Sequence, residues 1–309
     1  MSSYPEGPPT AAPFDRGDAR ILDRGYRRYD GERRGVGASI RSLVVHSVQR
    51  AFGLRRTVWA KILPALSVAI AYIPAIVFVG LVALFGNNQS NSVQLQNSDL
   101  PTYGQYYGFI VSAIVVFVAF VAPEVLCTDR RTGMLGIYLS SPLTRDTYLL
   151  SKAIAIAGVL ATACLGPPLV LLIAFVLQGN GPSGFGDLLL VFGRILVAGV
   201  CVTAFFTSLS IGVASFTNRK AIASASVILL VLLSQALTGA LVEGAGVDES
   251  LYLFNVFLVP FDLARRIHGE RSEAIPQVVT AAVWAAWAAW TVAGALFARM
   301  RYQRLEVVK

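Results

Sequence analysis

The sequence predicts an all-α integral membrane protein with six transmembrane helices, and three observations predict it. The chain of 309 residues is 55% hydrophobic, with a mean hydropathy of +0.62 and only 14% Asp, Glu, Lys and Arg. A soluble globular domain carries about 25% charged residues, so an ordinary cytosolic enzyme is excluded. Six apolar stretches are long enough to cross a bilayer, whose hydrocarbon core of about 30 Å takes roughly 20 helical residues. Finally, Lys and Arg are rich and poor in alternate loops, the pattern of a chain that crosses a membrane repeatedly.

Residues 1–35 hold Pro5, Pro8, Pro9 and Pro13 followed by dense mixed charge. Such a composition buries too little apolar area to offset its ordering entropy, and a flexible cytoplasmic tail is expected. It has no apolar core of the kind a cleavable signal peptide needs. Within 36–61, Ile40, Leu43, Val44, Ser47, Ala51, Leu54, Val58 and Trp59 recur at three- and four-residue spacing, while Arg41, Gln49, Arg50, Arg55 and Arg56 fall mostly elsewhere. This predicts a basic amphipathic helix lying in the interface, apolar side toward lipid; the alternative is a continuous cytoplasmic extension of the first span. Trp59 and Lys61 would anchor the entry into the membrane.

The six spans are expected near 62–85, 106–126, 153–177, 188–216, 222–242 and 277–298, a transmembrane domain over 62–298 followed by a tail at 299–309. Twelve basic residues precede the first span and none follows it before the second; the loop 127–152 holds four, the turn at Arg219 and Lys220 two, and the tail four. Both termini are therefore predicted cytoplasmic in the cell membrane, with 22 basic residues inside, three outside, and Arg194 within the fourth span. The net charge of +8 becomes a topology signal with an attraction to anionic membrane lipids, and nucleic acid is not an expected partner.

The loop 86–104 is a polar connector rich in Asn, Gln and Ser. The loop 243–276 differs, since 251–266 (LYLFNVFLVPFDLARR) is apolar yet too short to span, which predicts a re-entrant or interfacial helix pair broken near Pro260. Trp284, Trp287 and Trp290 recur every three residues among alanines in the last span. They suit either an aromatic substrate route or helix packing. Pro64, Pro74, Pro123, Pro167 and Pro168 predict kinks.

Chemistry is sparse. None of the four lysines follows a glycine, so no P-loop exists in this chain. His46 and His268 are predicted on opposite sides of the membrane, which argues against a His-based metal site or a catalytic triad. No catalytic residue and no metal ligand is assigned, and the chain is not expected to be an enzyme. Glu124 and Arg194 are the only ionisable residues expected within spans, both near enough to an end to snorkel and without obvious partners.

The most informative segment is 127–152 (CTDRRTGMLGIYLSSPLTRDTYLLSK). Asp129 or Thr128 can cap a short helix whose stripe is Met134, Leu135, Tyr138 and Leu139. Ser140, Ser141 and Pro142 break it, and a second helix starting near Thr144 feeds span three at Lys152. Helix, break and helix at the membrane face suit a docking element for a cytoplasmic partner.

In Asp129-Arg130, Gly133, Leu135, the run Leu139-Ser140-Ser141-Pro142, Arg145 and Ser151-Lys152, the sequence resembles the ABC-2 type permeases, the membrane subunits of bacterial ABC exporters. The resemblance covers roughly 36–305 and departs in having Asp129 where Glu is more usual. It implies a second permease copy or paralogue and two cytoplasmic ATPase subunits, which bind ATP and Mg so that this chain needs no cofactor. It further implies that the short helix after Arg131 is a coupling helix. Asp129, Arg130, Arg131, Gly133, Leu135, Pro142, Arg145 and Lys152 would serve docking and coupling, while Phe257, Pro260 and Phe261 would form an outer gate. Trp284, Trp287 and Trp290 are candidates for the path of a hydrophobic or amphipathic substrate. The competing expectations are a membrane scaffold that recruits a partner through the same loop, and a self-sufficient secondary transporter, which calls for mid-membrane charged pairs.

Overall fold

The structure, a computed structural model, describes residues 35–54, 58–85, 102–139, 142–270 and 275–304. Residues 1–34 of the expected tail 1–35, most of the loop 86–104, the Ser140-Ser141 break and the side chain of Trp59 lie outside the described residues. The helices are α1 (Val36–Ala51), α2 (Val58–Phe85), α3 (Tyr106–Arg131), α4 (Met134–Leu139), α5 (Arg145–Cys164), α6 (Gly166–Leu177), α7 (Phe185–Ala214), α8 (Lys220–Gly239), α9 (Leu258–Ile267) and α10 (Thr280–Gln303). Six segments are long and apolar enough to cross a membrane: Pro64–Leu84, Tyr106–Arg131, Arg145–Leu177, Phe185–Ala214, Lys220–Gly244 and Thr280–Gln303. The chain is thus an all-α, multi-pass membrane protein.

The helix α3 is the axis of the bundle. Tyr106, Tyr107, Ile110, Ile114, Phe117 and Val125 are all sealed from solvent, and α3 packs against α2, α5, α7 and α8. By contrast α2 and α8 keep wide apolar faces open, among them Ile73, Ile76, Leu229 and Leu232. Such faces are stable only against lipid or another apolar helix. The helix α10 packs mainly on α7, where a Cβ on Gly294 would stand 2.8 Å from the Ser208 carbonyl oxygen and one on Gly212 3.0 Å from that of Gly294. Glycine at both sites lets two backbones meet, the usual source of tight packing in a bilayer.

Two expectations about local structure change. The first concerns α1, which is a separate helix. It ends at Ala51 and is followed by a turn in which Gly53 has φ +68°, a conformation that favours glycine. Its buried stripe, Leu43, Ser47 and Ala51, is spaced four residues apart and packs on α5 and α3, so this face is turned to protein where lipid was expected. The reason is polar: Ser47, in the middle of the stripe, accepts a hydrogen bond from Lys152 at 2.8 Å. The third span also divides, because Pro167 and Pro168 fall in the first turn of α6, where a missing N–H costs little. A Cβ on Gly166 would overlap the hydroxyl of Tyr72, which donates to the Thr162 carbonyl at 3.1 Å.

At the other end of the bundle lies the short apolar element before the last span. Its break falls at Asn255, between a 3-10 turn (Glu249–Phe254) and α9, and Pro260 sits harmlessly in the first turn of α9. Asn255 makes the break possible. Its side-chain oxygen accepts from the backbone N–H groups of Phe257 and Leu258, both at 2.9 Å, while its amide donates to Gln235 and Thr238, both at 2.8 Å. Arg266 closes the far side, donating to Asp262, to the Ile275 and Val278 carbonyls and to Thr280. Phe261 is buried with its ring 5.8 Å from that of Phe206 and 5.6 Å from that of Phe257.

The last span is pinned to this element by tryptophan. Trp290 donates to the Leu253 carbonyl at 3.3 Å and Trp287 to that of Cys201 at 2.9 Å, while Trp284 meets Trp287 edge-on. The indole N–H groups of Trp287 and Trp290 are therefore engaged within the chain, as helix packing requires. Arg194 also has a partner, the His268 carbonyl at 3.0 Å. Burial, and then this guanidinium, hold the His268 pKa down to about 4, which keeps its ring neutral at pH 7.

Replacing Asn255 by Leu removes four hydrogen bonds and strands the buried partners. We expect a loss of roughly 1–3 kcal/mol, read as an earlier thermal transition of the detergent-solubilised protein. A transition unchanged from wild type would show that Asn255 does not hold the break.

Candidate functional site

The helix α3 does not stop where the apolar stretch does. It runs on to Arg131, and Asp129 is a helical residue whose side chain turns inward, where a cap of the next helix was expected. Asp129 is fully enclosed. One oxygen accepts from Arg50 of α1 at 2.5 Å, and the other lies 2.6 Å from Lys152 of α5 and accepts from the Tyr148 hydroxyl at 3.1 Å. Lys152 is itself enclosed, with its ammonium 5.5 Å from the ring centres of Tyr138 on α4 and Tyr148 on α5. Every group in this cluster satisfies its neighbour, which is what allows charges to stay where water cannot reach.

Glu124 extends the cluster sideways. Its carboxylate pairs with Lys220 at the start of α8, and Arg50 approaches it to 4.0 Å. The residue thus has two cationic partners, one from the turn after α7 and one from α1. Neither was legible in the sequence, because the partners lie 74 and 96 positions away.

Arg130 faces the opposite way. It donates to the Ser215 carbonyl at 2.6 Å and that of Thr217 at 3.4 Å, at the C-terminal end of α7, where the helix dipole favours a cation. Its guanidinium also stands 5.8 Å from the centre of the Tyr302 ring on α10. The pair Asp129 and Arg130 therefore ties α3 to α1, α5, α7 and α10 in two adjacent residues.

From this anchored end hangs a short exposed helix. Thr132 closes α3 by donating to the Thr128 carbonyl at 2.8 Å, and Gly133 turns the chain with φ +69°. A Cβ at Gly133 would meet open space, so the demand for glycine is conformational. The helix α4 follows, with Leu135 and Tyr138 packed inward and Ile137 63% exposed. Burial and the nearby Asp129 carboxylate push the Tyr138 phenol pKa up. Beyond the break, Thr144 caps α5 through a reciprocal bond with Thr147, confirming a helix that starts at Thr144 and runs unbroken past Lys152.

The eight residues singled out for docking and coupling thus divide. Arg131, Gly133 and Pro142 lie on the surface; Leu135 is half-buried against the core; Arg145 donates to the Gln303 carbonyl; Asp129, Arg130 and Lys152 are spent inside the chain. Arg50, Ser47 and Tyr148 complete the cluster and carried no sequence signal beyond a basic position and two polar ones on otherwise apolar faces. Among the described residues no group of three His, Cys, Asp or Glu could hold a metal ion. Cys127, Cys164 and Cys201 are free and buried.

A central α3, five further apolar spans, a protein-bound amphipathic helix and a short exposed helix hung from a buried ion cluster define the class: a multi-pass helical membrane protein. The family profile of the ABC-2 family transporter protein matches residues 48–307, and the chain belongs to that family. Its members are membrane components of ABC transporters and serve transport rather than classical enzyme chemistry. No curated protein matches the chain.

Breaking a buried ion pair by removing one partner costs about 3–5 kcal/mol, because the remaining charge is stranded. Asp129→Ala, which leaves Lys152 and Arg50 uncompensated, is expected to lower thermal stability by that order. Combining Asp129→Leu with Lys152→Met should recover a large part of it. Equal melting of Asp129→Ala and wild type would contradict the geometry.

Proposed function

We propose that the chain is the membrane subunit of an ATP-driven exporter of a hydrophobic or amphipathic compound, working with a second permease and two cytoplasmic ATPase subunits. The ATPases would bind ATP and Mg, and this chain would bind neither. The end of the bundle that gathers α1, α4 and the last turn of α10 would face the cytoplasm of the cell membrane, placing both termini inside. The basic loops gathered at that end support this orientation.

The observation that carries the proposal is the connection between α4 and Asp129. The helix α4 presents Ile137 to the outside, and through the stack of Tyr138 on Tyr148, with ring centres 5.8 Å apart, it rests on the enclosed cluster. A force applied to α4 by a partner therefore reaches α1, α3 and α5 together, since Arg50, Asp129 and Lys152 cannot separate without exposing charge to an apolar medium. Arg131 and Gly133, on the surface at the head of α4, belong to the docking face. Asp129, Arg130 and Lys152 act behind that face as the joint.

The self-sufficient transporter is less well supported. Glu124 and Asp129 sit at one end of α3, already paired, and Arg194 is bonded to a backbone carbonyl beneath the outer element. These positions resemble anchors more than steps of a proton or ion path through the middle of a membrane.

Expressed with the ATPase encoded beside it, the chain should co-purify with that ATPase in mild detergent and show no ATP hydrolysis alone. Arg131→Glu and Gly133→Trp should each abolish co-purification while leaving membrane insertion intact. Undiminished co-purification of both variants would remove α4 as the docking element. Solute movement by the chain alone down an ion gradient would remove the exporter reading.

A further inference from the structure

A groove of about 600 Å³ opens on the flank of the bundle between α5, α7 and α10. The helix α5 supplies Leu150, Ala153 and Ala157, α7 supplies Ala204 and Ile211, and α10 supplies Ala295. Small side chains on three converging helices leave this volume unfilled, while the Gly212 and Gly294 contact beside it keeps α7 and α10 together. Along α5 the groove runs from Asp146 to Ala157, which is about 16 Å of helix, close to half of a hydrocarbon core of about 30 Å. It is the depth of one leaflet.

Two polar features mark the groove. At its mouth Arg299 pairs with Asp146 at 3.1 Å, and both side chains are more than half exposed, an arrangement that holds the guanidinium loosely. Arg145, Arg301 and Arg304 stand at the same end of the bundle. Deeper in, Thr207 lines the groove with 6% of the residue exposed, and its hydroxyl is sealed from solvent without a hydrogen-bond partner. A buried hydroxyl without an acceptor is unfavourable, and an apolar occupant alone would not relieve it.

We propose that this groove binds one anionic phospholipid from the leaflet on the α1 side of the bundle. Its acyl chain fills the cleft between the three helices, and the phosphate takes Arg299 in place of Asp146. Guanidinium and phosphate make bidentate, charge-assisted hydrogen bonds, which an exposed Arg–Asp pair does not match. The basic residues at this end of the bundle, with Arg299 at the mouth, favour an anionic headgroup over a zwitterionic one. The site follows from the membrane placement of the six helices; only the name of the leaflet, cytoplasmic, rests on the orientation given under the proposed function.

The test uses the full chain in phospholipid nanodiscs, with phosphatidylglycerol carrying a photoreactive acyl chain as the probe and mass spectrometry to locate the adducts. Adducts are expected on 150–157 and 204–211, displaced about fivefold better by unlabelled phosphatidylglycerol than by phosphatidylcholine of the same chains. Arg299→Gln should erase that preference, and Asp146→Asn, which removes the competing carboxylate, should raise it. Ala153→Trp should abolish the adducts; if it fails to insert, the two charge variants, which change exposed groups only, still decide. Adducts spread evenly over α2 and α8 as well, or a preference unmoved by either charge variant, would overturn the proposal. So would a disulfide between two copies of Ala153→Cys, which would assign the groove to a second chain. If epitope labelling places the termini outside the cell while the adducts stay in the groove, the orientation falls and the lipid site stands.

Discussion

A carboxylate sealed from water must keep its cations, and Asp129 keeps two. Arg50 and Lys152 come from helices on either side of the second span in sequence, and Tyr148 supplies a third hydrogen bond. The desolvation cost of a buried carboxylate and ammonium, with a partly buried guanidinium beside them, is large, so the cluster holds only as a complete set. That constraint explains why α1 lies on protein with Ser47 turned inward, why α3 continues beyond its apolar stretch, and why α5 begins as a capped helix eight residues before Lys152. The fold at this end is arranged around one charge.

The opposite end depends on hydrogen bonds to backbone groups together with the Arg266–Asp262 ion pair. Asn255 lets the chain break beneath the surface by replacing backbone partners with its own side chain, and Arg266 gathers the carbonyls of 275 and 278 ahead of the last span. Trp287 and Trp290 then lock that span to α7 and to the 3-10 turn. One end of the molecule is thus joined by ionic bonds that resist separation as a unit. The other is held by the Asn255 side chain, the two indoles and the Arg266 guanidinium, which bonds Asp262 and two carbonyls at once.

Much of the architecture was legible because the bilayer imposes long-range order on local sequence. Six spans follow from length and hydropathy, and the alternation of their ends from where Lys and Arg fall. Thr144 announces the start of α5 by its capping role, and this holds in the structure. What sequence could not show are contacts between residues far apart in the chain: Arg50 with Asp129 spans 79 positions, Lys152 with Ser47 spans 105. Asp129 looked like a helix cap because its local context permits that role, and only the approach of α1 and α5 turns it inward. Pro260 misled for a related reason. A proline reads as a break, yet in the first turn of α9 it is neutral, and the true break is an asparagine whose partners lie on another helix.

The central claim is that Asp129 makes α1, α4 and the start of α5 a single mechanical body. Spin labels at Val45 on α1 and Ile137 on α4, both exposed, report that directly through their distance distribution in the reconstituted protein. One narrow distribution is expected in the parent background and a broad one after Asp129→Asn. Equal widths in the two backgrounds would contradict it.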